Sequence, residues 1–312
     1  MKQIAVLLIL FLGGVKVIAQ QDALFSQYMY ARAYWNPALT GVEGYASAYF
    51  LSRSQWVGYK STDPSTQTDI STQMLGLVYP FQWASNNSAV GLNILFDKLG
   101  PSSSTIVQWS MAQHFDVGRG TLSLGLRPSW HVMKLDNVQL DFLNNLEESR
   151  ILESDANWDL DAGLSFSADQ YTIGLSVFHI VEPNFDRTAT QLSPAFNLYG
   201  DYLYQVSYQW SLLSSGMIRT NSESYTIDIS AILHYKEQIS AGLGYRHQDA
   251  LVLLMGYSFL ADKSLSLGYA IDFVVNNATN KAQTSHEIYL SYRLPTISSG
   301  PNKIIRTPRF RY

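Results

Sequence analysis

The 312-residue chain has no cysteine. This excludes disulfides, thiolate metal sites, cysteine nucleophiles and an acyl anchor on an N-terminal cysteine. Charge is also scarce: 15% of residues are Asp, Glu, Lys or Arg, against about 25% in soluble domains. The net charge is −4, and the basic residues do not gather into a face that could bind phosphates, which argues against a nucleic-acid partner. Only the tail Lys303, Arg306, Arg309, Arg311 clusters positive charge. Mean hydropathy is −0.04, and no run beyond the N-terminus is long and apolar enough for a membrane-spanning helix. The six histidines, at 114, 131, 179, 234, 247 and 286, show neither helical i, i+4 spacing nor the i, i+2 spacing that shares a strand face. Spacing along the chain therefore proposes no metal ligands and no cofactor. No Gly-x-Ser-x-Gly surrounds Ser110 or Ser129, so a lipase-like nucleophile is unsupported.

What is present is aromatic and patterned. There are 20 Tyr, 14 Phe and 7 Trp. The first nineteen residues read as an export signal: Lys2, an apolar core from Ile4 to Leu12, then Val17-Ile18-Ala19 at the cleavage point. Beyond residue 44 apolar residues alternate with small or polar ones at period two, the strand signature. Val90, Leu92, Ile94 and Phe96 alternate with Gly91, Asn93 and Asp97; Leu122, Leu124 and Leu126 with Ser123, Gly125 and Arg127. Leu265, Leu267, Tyr269, Ile271 and Phe273 do the same against Ser266, Gly268, Ala270 and Asp272. About fourteen such segments of about ten residues fit strands that cross a bilayer. They begin near 45, 68, 88, 104, 120, 157, 169, 195, 206, 223, 237, 249, 264 and 285. In the second, Asp69, Ser71 and Gln73 share parity with Leu75, Leu77 and Tyr79, which suggests a bulge or a misplaced boundary.

Loop lengths sort with this count. One end receives the connections 56–66, 134–156, 179–193 and 274–284, mostly long; the other receives 116–119, 168–170, 235–237 and 260–263, mostly short. Outer-membrane barrels have this asymmetry, and an even strand number puts both barrel ends with the short, periplasmic turns. The polar face is Gly- and Ser-rich with single charges at Asp97, Arg127, His131, Asp159, Asp161, Asp228, Asp272 and Glu287. It is too light and too charged for a packed core, so these residues are expected to face an aqueous lumen while the apolar face meets outer-membrane lipid. The fold expected is thus all-β: a transmembrane antiparallel up-and-down β-barrel. Asp159 and Asp161 share a face and could do acid–base work; pairing with Arg127 or water in a lumen wall is the favoured reading. A lumen of this size stays open unless something fills it; loop 134–156, the segment 20–44 or a partner is expected to obstruct it.

The expected organisation is a signal peptide (1–19), an N-terminal extension (20–44) that is periplasmic or lumen-inserted, the barrel (45–294) and a periplasmic tail (295–312). Asn36-Pro37-Ala38 breaks local structure. It serves either as a turn into the first strand or as a segment that touches a partner, with Phe25, Tyr28, Asn36 and Pro37 as candidate contacts. The tail is either a disordered end or a docking peptide anchored by Arg309 and Phe310.

Two regions resemble a known family. Gln21-Asp22-Ala23-Leu24-Phe25-Ser26-Gln27-Tyr28-Met29, followed by Asn36-Pro37-Ala38 and Gly41, is similar to the N-terminal signature of the PorP/SprF family, outer-membrane proteins of the type IX secretion system of Bacteroidetes. The last strand, Ser285-His286-Glu287-Ile288-Tyr289-Leu290, and the ending Thr307-Pro308-Arg309-Phe310 resemble that family's C-terminal region. Ala23 stands where the family often has proline. The resemblance implies a non-enzymatic barrel that binds, exports or anchors a large surface adhesin with a C-terminal sorting domain, in some members for gliding motility, or that links to periplasmic lipoprotein and ring components. A porin or hydrophobic-solute transport barrel is the alternative.

Overall fold

The computed structural model describes residues 22–58, 70–83, 86–140, 148–188, 190–221, 224–275 and 282–294. Within them fourteen antiparallel strands close into one barrel. In chain order these are β1 Ser47–Gln55, β2 Ile70–Trp83, β3 Asn86–Leu99, β4 Ser102–Val117, β5 Gly120–Leu140, β6 Glu148–Ala168, β7 Tyr171–Phe178, β8 Ala195–Gln205, β9 Trp210–Thr220, β10 Tyr225–Tyr235, β11 Ile239–Arg246, β12 Ala250–Phe259, β13 Leu265–Val274 and β14 Thr284–Arg293. Each pairs with its chain neighbours, and β14 closes on β1, with Arg53 directly opposite Glu287. Closure gives every strand a hydrogen-bonded neighbour on both sides, as a bilayer requires of backbone that spans it. Among the described residues no helix is long and apolar enough to cross a membrane; the strands do so.

Alternation fixes which way each side chain points. Leu124, Leu126, Leu164, Ile173, Leu175 and Ile229 are exposed on the outer wall. Between them Ser123, Arg127, Ser165, Asp161, Thr172 and Asp228 are buried on the inner one. Tyr79, Trp83, Tyr204 and Trp210 project outward toward the short-turn end, where an aromatic girdle belongs. Tyr45 does not join a girdle: it turns inward and donates to Glu43.

Two expectations are corrected. Strand β2 has no bulge, because its register against β1 and β3 is unbroken from Ile70 onward. Gln73 therefore lies on the outer face with Leu75 and Leu77, nearer the long-loop end. Most of 134–156 is not a loop, since β5 and β6 pair continuously out to Leu140 and Glu148. Toward the long-loop end these strands pair only with each other, and the segment that fills the lumen is the N-terminal one.

Candidate functional site: a lumen filled by the N-terminal segment

Residues 22–44 run through the barrel from the long-loop end to the short-turn end. Asp22 meets His179, which follows β7, and Gly41 rests against Ala89 and Val78 in the lower half. The path includes one helical turn, α1 (Arg32–Trp35), and a 3-10 turn, Pro37–Leu39. Neither is stable alone at this length; the wall holds them. Phe25 packs edge-on against Tyr34 and Trp35, with ring centroids 5.5 and 6.3 Å apart. Arg219 lies 4.7 Å over the Trp35 ring, and Arg127 lies 5.7 Å over the Tyr34 ring. The segment thus carries its own apolar core into a polar tube, and wall arginines stack on its faces.

Near the long-loop end the wall charges form a balanced network. Arg53 bridges Asp272 (2.7 Å) and Glu287 (3.3 Å); Arg246 bridges Asp272 (3.2 Å) and Asp228 (2.8 Å); Arg219 closes on Asp228. Three guanidinium groups thereby meet three buried carboxylates, and Arg246 also reaches the partly exposed Asp249 at 3.4 Å. The segment enters this network through Ser26 and Gln27. Their backbone N–H groups donate to the two oxygens of Glu287, each at 2.8 Å, and the Ser26 hydroxyl donates to Asp272 at 2.7 Å. A carboxylate that accepts two consecutive amides makes strong, charge-assisted bonds.

Halfway down, Asn36-Pro37-Ala38 lies on a floor of glycines from three neighbouring strands. Asn36 Nδ2 donates to the carbonyls of Leu164 and Leu175, and Asn36 Oδ1 caps the 3-10 turn by accepting from Ala38 N. A Cβ on Gly125 would meet the Ala38 Cα at 2.6 Å, one on Gly163 the Pro37 Cδ at 3.0 Å, and one on Gly174 the Asn36 Nδ2 at 2.6 Å. Arg127 donates to the Tyr34 carbonyl and to Asp161 (2.7 Å), and Ser176 donates to the Trp35 carbonyl (2.6 Å). The motif Asn-Pro-Ala and the wall glycines are two sides of one contact.

Beside this floor His131, Asp159 and His179 come together. Asp159 Oδ2 lies 2.5 Å from His179 Nδ1 and 3.7 Å from His131 Nε2, and His179 Nε2 meets Asp22 at 3.0 Å. Burial opposes a charge on His179, but Asp22 and Asp159 outweigh it and hold the imidazole well above its ordinary pKa. For Asp22 burial raises the pKa, and the stronger pull of His179 leaves it below the usual carboxylate value. Strand spacing could not have revealed the cluster, because its members come from β5, β6 and the residue that follows β7.

Below the segment a vestibule of about 1310 Å³ opens between the short turns, lined among others by Tyr30, Arg32, Asp201, Tyr257, Lys263 and Tyr289. By the usual outer-membrane orientation this mouth faces the periplasm.

The residues singled out in the sequence divide clearly. Arg127, His131, Asp159, Asp161, Asp228, Asp272 and Glu287 are buried on the inner wall, and Asp97 accepts from Thr72 Oγ1 at 2.6 Å. Asp159 and Asp161 are not a carboxylate pair; each has its own basic partner, His179 and Arg127. Phe25, Tyr28, Asn36 and Pro37 are buried inside the barrel. Arg309 and Phe310 lie outside the described residues, as does the signal segment. Ser26, Arg53, Arg219 and Arg246, which fasten the segment, were not singled out. A lone wall arginine carries no sequence mark that separates it from a surface one.

Comparison with known proteins agrees with this architecture. The toluene transporter TbuX of Ralstonia pickettii aligns with a TM-score of 0.55 at 12% identity, covering 85% of this chain and 94% of that one. A FadL homologue of Pseudomonas aeruginosa aligns with a TM-score of 0.49 at 13% identity, covering 84% and 94%. At 12% identity the likeness to TbuX shows the barrel fold alone. No curated protein matches the chain in sequence. The family model for the type IX secretion system membrane protein PorP/SprF matches residues 17–292. An outer-membrane barrel by its fold, the chain belongs to the PorP/SprF family of type IX secretion proteins.

Proposed function

We propose that this barrel is a non-enzymatic partner-binding component of type IX secretion. It binds, exports or anchors a particular large adhesin with a C-terminal sorting domain, or links the outer membrane to periplasmic lipoprotein and ring components. One observation carries this reading: the chain fills its own lumen with residues 22–44, fastened at both levels, and leaves a vestibule at the short-turn mouth. An open diffusion pore has no use for so many bonds across its bore. A docking platform needs a sealed one, so that a partner can engage the periplasmic side without a leak. The tail, with Arg309 and Phe310, is the segment suited to that engagement, since Arg and aromatic residues anchor interfaces.

Affinity purification from detergent-solubilised outer membranes tests it. The full-length chain should co-purify with type IX components or one large surface protein, and deletion of residues 296–312 should leave the barrel inserted and lose them. Partner recovery unchanged by the truncation would refute the role of the tail. Altered small-solute uptake with an intact secretome in a deletion strain would favour the transport reading.

A further inference from the structure

The cluster beside the Asn-Pro-Ala floor has the composition of a metal site. We propose that His131 Nε2, Asp159 Oδ2 and His179 Nδ1 bind one divalent transition-metal ion, Zn²⁺ by their chemistry, and that Asp22 of the inserted segment orients His179 from behind. The three donor atoms lie within 4.8 Å of one another, and all three residues are buried. Two imidazoles and a carboxylate select zinc or a neighbouring transition metal over Ca²⁺ or Mg²⁺, which prefer all-oxygen shells.

Three independent features point to an ion. The second Asp159 oxygen, Oδ1, is buried without a hydrogen-bond partner among the described residues, although buried carboxylate oxygens normally have one. His179 Nε2 faces Asp22 Oδ1 at 3.0 Å, the carboxylate–histidine arrangement that fixes the tautomer of a metal-bound imidazole. His179 also holds a left-handed backbone, φ 56°, rare for a residue with a side chain, and this turns its ring into the lumen. A water completes four-coordination, and the Ser129 hydroxyl, 2.9 Å from His131 Nε2, gives up that hydrogen bond to the ion. The 2.5 Å approach of Asp159 to His179 is a hydrogen bond; the ion takes the place of its proton, and the two atoms part to the wider spacing of a coordination shell. The ion would tie the start of the inserted segment to the β5–β7 wall, a role independent of which partner the barrel binds.

The test is isothermal titration of the full mature chain, folded in detergent and stripped with EDTA, with Zn²⁺. One equivalent should bind. His131→Ala and His179→Ala should each abolish binding, and Asp22→Asn should keep the stoichiometry while weakening affinity roughly 10–100-fold. His114→Ala serves as control: His114 is a buried histidine bonded to Ser123 and the Thr40 carbonyl, away from the cluster, and its variant should bind as the parent does. Folding of every variant is read from heat-modifiable gel mobility, and if His179→Ala does not fold, His131→Ala decides. Absence of saturable one-to-one binding in the folded parent, or full binding by folded His131→Ala, would overturn the site. Unchanged affinity in Asp22→Asn would overturn the role of Asp22.

Discussion

Replacing Gly125 by alanine should undock the Asn-Pro-Ala turn without unfolding the barrel. The added methyl would sit 2.6 Å from the Ala38 Cα, with the Ala38 nitrogen and Pro37 carbonyl carbon closer still, whereas ordinary contact begins at 3.4 Å. The obstacle is backbone, so no rotamer change relieves it, and the turn must retreat by about 1.2 Å for the Ala38 nitrogen, at 2.2 Å, to reach 3.4 Å. The Asn36 bonds to the Leu164 and Leu175 carbonyls, now 3.0 and 3.2 Å, then stretch beyond hydrogen-bonding range. Overpacking costs about 1–3 kcal/mol, and two lost hydrogen bonds add about 1 kcal/mol each. The docked turn thus loses roughly 3–5 kcal/mol, which raises its open population about 100- to 1000-fold or more at 1.4 kcal/mol per decade.

The missing cysteine makes this measurable. Thr40 is fully buried, and its hydroxyl has no partner among the described residues, so Thr40→Cys places a somewhat smaller side chain with a thiol beside the turn. Where opening is fast relative to modification, maleimide labelling tracks the open population. Labelling should be slow in the Thr40→Cys parent and faster by the factor above when Gly125→Ala is added. Gly216→Ala is the control, because its methyl would meet nothing nearer than 3.7 Å. Equal labelling rates for the two glycine variants in folded barrels would refute the glycine-floor argument.

Other consequences follow from the same contacts. Deleting residues 23–42 should convert a barrel with little conductance in planar bilayers into one with a large, stable open channel; a large conductance in the parent would contradict the seal. Asn36→Ala removes the two wall bonds and the cap on Ala38, and should lower the stability of the docked segment by about 2–3 kcal/mol, read as faster protease cleavage near residue 36 with the barrel intact.

The strands were legible in the sequence because lipid on one side and water on the other impose strict alternation. Fourteen segments were expected, and fourteen strands close the barrel. The pattern fails where that cause fails. In 134–156, rich in Asp, Asn and Glu, no lipid faces the chain, so paired strands leave no apolar stripe and read as a loop. The light polar face announced that something must fill the lumen, but not which segment. Gly125, Gly163 and Gly174 are ordinary small residues in their own strands and acquire meaning only when Asn36-Pro37-Ala38 lies across all three. His131 and His179, 48 positions apart, meet only through pairing.

The fastening at Glu287 also sits on the seam of the barrel. Strands β1 and β14, the most distant in the chain, must find each other last, and Arg53 and Glu287 are directly opposed across that closure. The same carboxylate accepts from Ser26 and Gln27. One group therefore both pairs with the charge that closes the wall and holds the segment inside it, and the two roles separate by charge exchange. Arg53→Glu alone sets a further carboxylate beside Asp272 and Glu287 in place of their shared counter-charge, and breaking a buried pair costs about 3–5 kcal/mol; barrel closure, read by heat-modifiable mobility, should fail or slow. Adding Glu287→Arg restores an opposite-charge pair at the seam, so closure should recover. The Ser26 and Gln27 amides then face a guanidinium that cannot accept from them, so Thr40→Cys labelling should remain fast in the double variant. Recovery of both closure and protection would mean that the seam alone positions the segment, and that the bonds from Glu287 to Ser26 and Gln27 contribute nothing to holding it.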